Sequence, residues 1–376
     1  MSLIQIFAYF GAWFSHVAIY TLLIEYGASA LMISFVVAMN FLPSIILSPF
    51  SGSLVDRLPL KKFMLTLLSV EVLMTCSFFF ISSLDDIYLL MFVLFIRMAS
   101  ASVFFTSEMT LLPKILEGHL LAKANEIHSI IWSFTFTAGM ALGGLVVHSF
   151  GVQTAFLIDI MFFIVAIVIL FNTKFDIPFT PSTQHIFLDI KDGFNYIKQN
   201  KHLLHLMLLH GTVGFTAFDS LVTLLADYNY KYIISVPLAI GITNGLRAFA
   251  LMIGPFFITN WINKQRLFYL FIAQGISIFL WSFLQHNFYF GLLGVFLTGL
   301  VTTTLWSYTY AMLQEEVQSK FLGRVLSYNE MVFMFMNIFT TLFIGFMATF
   351  VSLDIITSIL AAAFMLTAIY YRRVFL

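Results

Sequence analysis

Apolar residues run along this chain in long blocks, parted by short polar or turn-rich pieces. The sharpest breaks are Asp56-Arg57-Leu58-Pro59, Ser82 to Asp86, Glu117-Gly118-His119 and Asn260 to Gln265. A bilayer core needs about 20 apolar residues in helical form. Only helices or closed barrels satisfy their backbone groups in lipid, and these blocks are far too long for barrel strands. The pattern predicts an all-α membrane protein with twelve transmembrane helices, near 3–25, 29–55, 61–83, 87–112, 122–147, 152–172, 202–226, 232–259, 265–286, 288–313, 322–347 and 350–371.

Composition supports a lipid-facing surface. Of 376 residues 61% are hydrophobic and 10% charged, with mean hydropathy +0.98, against about 25% charged residues in soluble domains. The formal net charge of zero gives no reason to expect nucleic acid as a partner. The single cysteine, Cys76, excludes an intrachain disulfide and reads as a buried, inert thiol. No small-residue cleavage site follows a basic leader, so the first apolar block is expected to remain as a membrane helix.

Lysine and arginine set the expected orientation. With both termini cytoplasmic, fifteen of the 18 basic residues fall on the cytoplasmic side. Lys231 lies outside, and Arg97 and Arg247 lie within spans. The longest connection, 173–201, is expected to link a six-helix bundle at 1–172 to a second at 202–376. Within it, Ile186, Phe187, Ile190, Phe194 and Ile197 fall at helical spacing, which predicts an interfacial helix. The halves read as pseudo-repeats. Leu121-Ala122-Lys123 matches Leu322-Gly323-Arg324, and Pro49-Phe50 matches Pro255-Phe256, in the same relative order.

The run Gly52-Ser53-Leu54-Val55-Asp56-Arg57-Leu58-Pro59-Leu60-Lys61-Lys62 resembles the signature between helices two and three of the major facilitator superfamily. The likeness extends over nearly the whole chain. It is strongest from Leu111 to Phe156, and is nearest the bacterial branch containing enterobactin and macrolide exporters. The resemblance implies a cytoplasmic latch, in which Asp56 faces Arg324 at the start of helix eleven and Arg57 faces Glu108. A carboxylate at a helix N-terminus and a directional arginine–carboxylate pair are both favourable. Pro59 and Leu60 stand where the family usually has a glycine turn. Gly139-Met140-Ala141-Leu142-Gly143-Gly144 is similar to the helix-five motif of drug antiporters, with Met140 in place of proline. Gly139, Gly143 and Gly144 equally suit plain helix packing. Ala12 stands where that branch often carries an aspartate in helix one.

Charges within the spans are the candidate transport residues, because each is costly in lipid unless paired or used. Glu71 and Arg97 lie at similar depth on consecutive helices and are expected to be partners, either as a proton site or as a static packing pair. The resemblance implies that helices one, four, seven and ten line the path, which favours Arg97 and Asp219 over Asp159. Arg247 is expected to meet Asp219 or an anionic substrate group. Glu330 lies a little over two turns into helix eleven. His202, His205 and His210 share one wide face but have no acids between them, so interfacial roles outrank a metal site. His16 reads as a packing residue. Trp306, Tyr308 and Tyr310 are candidates for stacking on an amphipathic substrate.

With no glycine-rich nucleotide loop and no nucleophile–base constellation, no enzyme and no cofactor are expected. The leading expectation is a monomeric, proton-coupled secondary transporter in a bacterial inner membrane that exports a drug or siderophore. A lipid or lysolipid flippase of the same fold is one alternative. A membrane structural or assembly protein without transport is the other.

Overall fold

A computed structural model describes residues 1–55, 57–116, 118–174, 186–318 and 321–376. Among the described residues, twelve helices are long and apolar enough to cross a bilayer. Spans 1 to 6 are Ser2–Glu25, Ala30–Ser51, Leu60–Phe80, Leu84–Leu112, Glu126–Phe150 and Val152–Asn172. Spans 7 to 12 are Lys201–Tyr230, Val236–Ile258, Lys264–Leu284, Phe288–Glu316, Leu322–Met347 and Leu353–Phe375. An even number of crossings returns both ends to one face, called here the terminal face; the other is the far face.

Span 1 packs between spans 5 and 6, span 3 against spans 4 and 6, and span 9 against spans 10 and 12. Two seams join the first six spans to the last six: span 5 lies along span 8, and span 2 along span 11. Glycine makes both possible near the far face. A Cβ on Gly144 would come 2.6 Å from the Pro237 carbonyl oxygen and 3.0 Å from Gly241 Cα. A Cβ on Gly345 would strike Ser34. At such contacts helix backbones approach closely and gain dispersion contacts along their length.

Two spans are interrupted where the sequence reading drew continuous helices. Span 2 divides into Ala30–Ala38 and Leu42–Val55. Asn40 lies in the gap and donates its amide to the Tyr20 hydroxyl at 2.9 Å. Pro43 has no amide hydrogen and disfavours helix in the residue before it, so the chain turns there and restarts. Span 7 runs as a helix over Lys201–Gly211, tightens to a 3-10 turn over Thr212–Thr216, and leaves helical geometry at Ala217 (φ −71°, ψ 74°). It resumes over Asp219–Leu225 and ends in a π-turn. Gly214 presses on the backbone of span 11, where a Cβ would lie 3.0 Å from the Asn337 nitrogen. The hydroxyls of Thr212 and Thr216 donate to the carbonyls of Leu209 and Val213.

The connecting segment contains a helix over Ile186–Gln199. Tyr196 stacks on Phe321 with ring centroids 4.3 Å apart, and Gly193 abuts Arg324, which fixes this helix to the start of span 11.

Candidate functional site

Arg97 is fixed by Asp159, not by Glu71. Its guanidinium nitrogen lies 2.6 Å from the Asp159 carboxylate, and the two side chains are 1% and 0% exposed. Ser15 of span 1 donates its hydroxyl to the same carboxylate oxygen. The guanidinium sits over the rings of Phe78 and Phe163, at 5.7 and 5.6 Å from their centroids. The other Asp159 oxygen and two Arg97 nitrogens have no hydrogen-bond partner among the described residues. Glu71 is buried within electrostatic reach of Arg97, Asp159 and Glu108, but forms no ion pair with them. Sequence fixes the depth of a charge along its helix but not its azimuth. Depth matched Glu71 to Arg97; the facing of spans 4 and 6 brings in Asp159 instead. Both Asp159 and Asp219, of which the sequence reading favoured Asp219, meet an arginine.

Arg247 and Asp219 meet at the break in span 7. Arg247 donates to the Thr216 carbonyl oxygen at 2.7 Å, and its other terminal nitrogen lies 3.7 Å from Asp219. The guanidinium also stands over Phe218, at 5.3 Å. The Thr216 carbonyl, which also accepts from the Phe218 amide at 2.8 Å, is thus bonded by the arginine as well. These side chains keep 11% and 21% of their surface, in contrast to the sealed Arg97–Asp159 pair. Tyr20 of span 1 lies within electrostatic reach of both, which places the pair beside the seam.

Nearer the terminal face, Tyr9 donates its hydroxyl to Glu108, and Gln5 is hydrogen-bonded to His128 at 2.9 Å. Glu108 is fully buried by this cluster, and Arg57 is exposed rather than paired with it. The expected Arg57–Glu108 contact is absent because Glu108 turns into the bundle toward span 1. Asp56 lies outside the described residues. Gly52 is on the last turns of the helix over Leu42–Val55. Lys61 donates to the Phe171 carbonyl at 2.7 Å and so caps span 6, while Lys62 is exposed. Arg324 lies over the Phe321 ring.

Gly139 and Gly143 seat span 5 on Trp13 and Phe14 of span 1, whereas Gly144 faces span 8. The three histidines of span 7 part company. His202 lies 3.9 Å from Glu316, His205 is hydrogen-bonded to Tyr370, and His210 to Thr309. Among the described residues no group of three side chains is arranged to hold a metal ion. His210 stands instead among aromatic rings, 5.4 Å from Trp306 and from Phe333 and 5.5 Å from Tyr310. Trp306 and Tyr310 stack on each other; Tyr308, two residues away from each, is on another face.

Sequence reasoning missed Gly11, Ser15 and the breaks in spans 2 and 7. Gly211, Thr212, Gly214 and Thr216 were the available signal for the break in span 7.

Twelve spans, two glycine seams and charged pairs at mid-depth describe a carrier. Residues 1–284 match the sequence pattern of the Major Facilitator Superfamily. The chain belongs to the major facilitator superfamily. It is a multi-pass membrane transporter of that superfamily. Macrolide efflux protein A of Streptococcus pyogenes is 24% identical over 322 residues, covering 82% of this chain and 79% of that protein. Macrolide efflux protein A of Enterococcus faecalis is 24% identical over 301 residues, covering 77% of this chain and 92% of its own length. The crystal structure of the nucleoside transporter NupG superposes with a TM-score of 0.75 at 13% identity, over 99% of this chain and 96% of that one. That similarity is one of fold.

Proposed function

We propose that this transporter exports an amphipathic small molecule in exchange for protons, by alternating access. The observation that carries the reading is the interruption of span 7, where the Thr216 carbonyl and Asp219 are both met by Arg247. Non-helical backbone at membrane depth persists only where protein buries it or where it lines a cavity. Carriers place their sites at such breaks, between halves that rock about them. Residues 1–172 and 202–376 act as those halves, joined by 173–201, and the glycine seams are the surfaces on which they move. Asp159, Asp219 and Glu71 are the candidate proton carriers. Each stands near an arginine, so that gain of a proton releases a charge the arginine otherwise holds. The similarity to two macrolide efflux proteins supports outward transport of an organic molecule. The lysine and arginine distribution supports cytoplasmic termini in a bacterial inner membrane. The protein acts as a monomer.

The test is efflux from proteoliposomes loaded with a macrolide or an amphipathic dye, with and without an imposed pH gradient. Gradient-dependent efflux that a protonophore abolishes is expected. Flux that ignores the gradient removes proton coupling. Absence of flux for every solute, with a spin-labelled lysolipid crossing instead, favours the flippase.

A further inference from the structure

Glu330 is a carboxylate within a span that belongs to neither arginine pair. In span 11 the residues Phe335, Phe339 and Phe346 are each more than half exposed and mark the lipid-facing side. At about 100° per residue, Glu330 lies roughly 140° round the helix from Phe335, on the inward side. Phe333 and Asn337 share that side and pack toward span 7. The Glu330 carboxylate forms no ion pair or hydrogen bond among the described residues, and it keeps accessible surface. It lies within electrostatic reach of Tyr310.

Tyr310 and Trp306 form a stacked pair, with centroids 5.0 Å apart and planes 11° from parallel. Both rings keep accessible surface. The ring of His210 closes one side of the group and Phe333 stands beyond it. The His210 Nε2 atom and both amide atoms of Asn329 are buried without hydrogen-bond partners among the described residues. Partly exposed aromatic rings thus stand within electrostatic reach of an unpaired carboxylate, together with unused polar atoms, on spans 7, 10 and 11.

We propose that these residues form a binding site for an amphipathic cation, with its aromatic or apolar body on Trp306 and Tyr310 and its positive group on Glu330. The site deepens the exporter reading and rests on it. An aromatic face attracts a cation through its quadrupole, and the effect grows when water is excluded. A carboxylate at membrane depth is expensive to leave unpaired, so a cation that enters supplies its missing partner. An anion would meet repulsion from Glu330, and a neutral ligand would leave it unpaired.

The test uses purified full-length protein in detergent, with tryptophan fluorescence as the signal. The probes are tetraphenylphosphonium, whose charge does not depend on pH, and triphenylphosphine oxide, a neutral analogue. Wild-type protein is expected to bind the cation at least about ten-fold more tightly, equivalent to one partly desolvated charge contact. Glu330→Gln should erase that preference and leave binding of the neutral probe unchanged. Trp306→Phe should keep the preference, and Tyr310→Ala should weaken both probes. Equal binding of the two probes by wild-type protein overturns the proposal without any variant having to fold. Full cation preference in Glu330→Gln overturns it as well. Flux separates this site from the exporter reading: cation preference with no flux of any solute rejects export and retains the site, whereas proton-driven flux without cation preference does the reverse.

Discussion

The Asp159 carboxylate occupies the space that a side chain on Gly11 would need: a Cβ there would come within 2.5 Å of Asp159 Oδ1 and 3.3 Å of its Cα. Span 1 therefore offers a notch into which the acid of span 6 fits, and Ser15, one turn on, donates to its other oxygen. Gly11→Ala should push the carboxylate off Arg97. The expected cost is about 1–3 kcal/mol of stability, the usual range for overpacking, together with loss of gradient-driven flux. Thermal unfolding and flux per folded molecule check this; wild-type values for both would mean that span 1 simply shifts aside.

The Arg97–Asp159 pair invites a double substitution. Arg97→Ala leaves a buried carboxylate alone, and breaking such a pair costs about 3–5 kcal/mol. Folded yield should fall. Arg97→Met with Asp159→Leu removes both charges, and apolar replacement of a buried pair is often neutral or stabilising. Yield should recover while proton-driven flux does not. A double variant that regains full flux would reduce the pair to a packing element. Arg97→Lys is expected to impair flux already, because lysine keeps the charge and loses the planar fork.

The twelve spans were legible in the sequence because lipid demands length and apolarity, which are properties of contiguous residues. The depth of each charge was legible for the same reason. Pairing was not. Arg97 and Asp159 are 62 residues apart, and their meeting depends on how spans 4 and 6 are rotated. The interruption of span 2 carried its own signal in Pro43, whereas span 7 breaks without a proline. There the cause is close approach at Gly214 to the backbone of span 11, a relation between distant segments. Arg247 had two candidate partners by sequence; geometry supplies Asp219 and adds the Thr216 carbonyl, a backbone partner beside the break.

The seam near the far face offers a third prediction. Gly144 touches the backbone of span 8 at Pro237 and Gly241, so no larger residue fits while the seam is closed. Gly144→Leu should hold spans 5 and 8 apart on that side. The expected result is faster labelling of single cysteines placed near Val236 and Ser34, with reduced flux and normal insertion. Unchanged labelling would show that the seam does not open during transport. Gly143→Leu would instead press on Phe14 within the first six spans. It should lower stability by about 1–3 kcal/mol without raising that labelling.

The last prediction concerns Arg247, which holds a helix break and a carboxylate with one side chain. Its two terminal nitrogens meet the Thr216 carbonyl and Asp219. A lysine has a single ammonium on a flexible stem and cannot span both in a fixed geometry. Arg247→Lys should therefore fold but transport poorly, and amides near Ala217 and Phe218 should exchange faster with deuterium. Asp219→Asn keeps the bond from Arg247 to Thr216 and removes only the charge. It should leave exchange at the break near wild type and lower flux at every imposed pH gradient. If the pair merely braces the fold, the two variants would fail together in stability, and flux per folded molecule would be normal in both. If it couples protons to movement, the variants separate: one loosens the break, and the other leaves it intact while flux is lost.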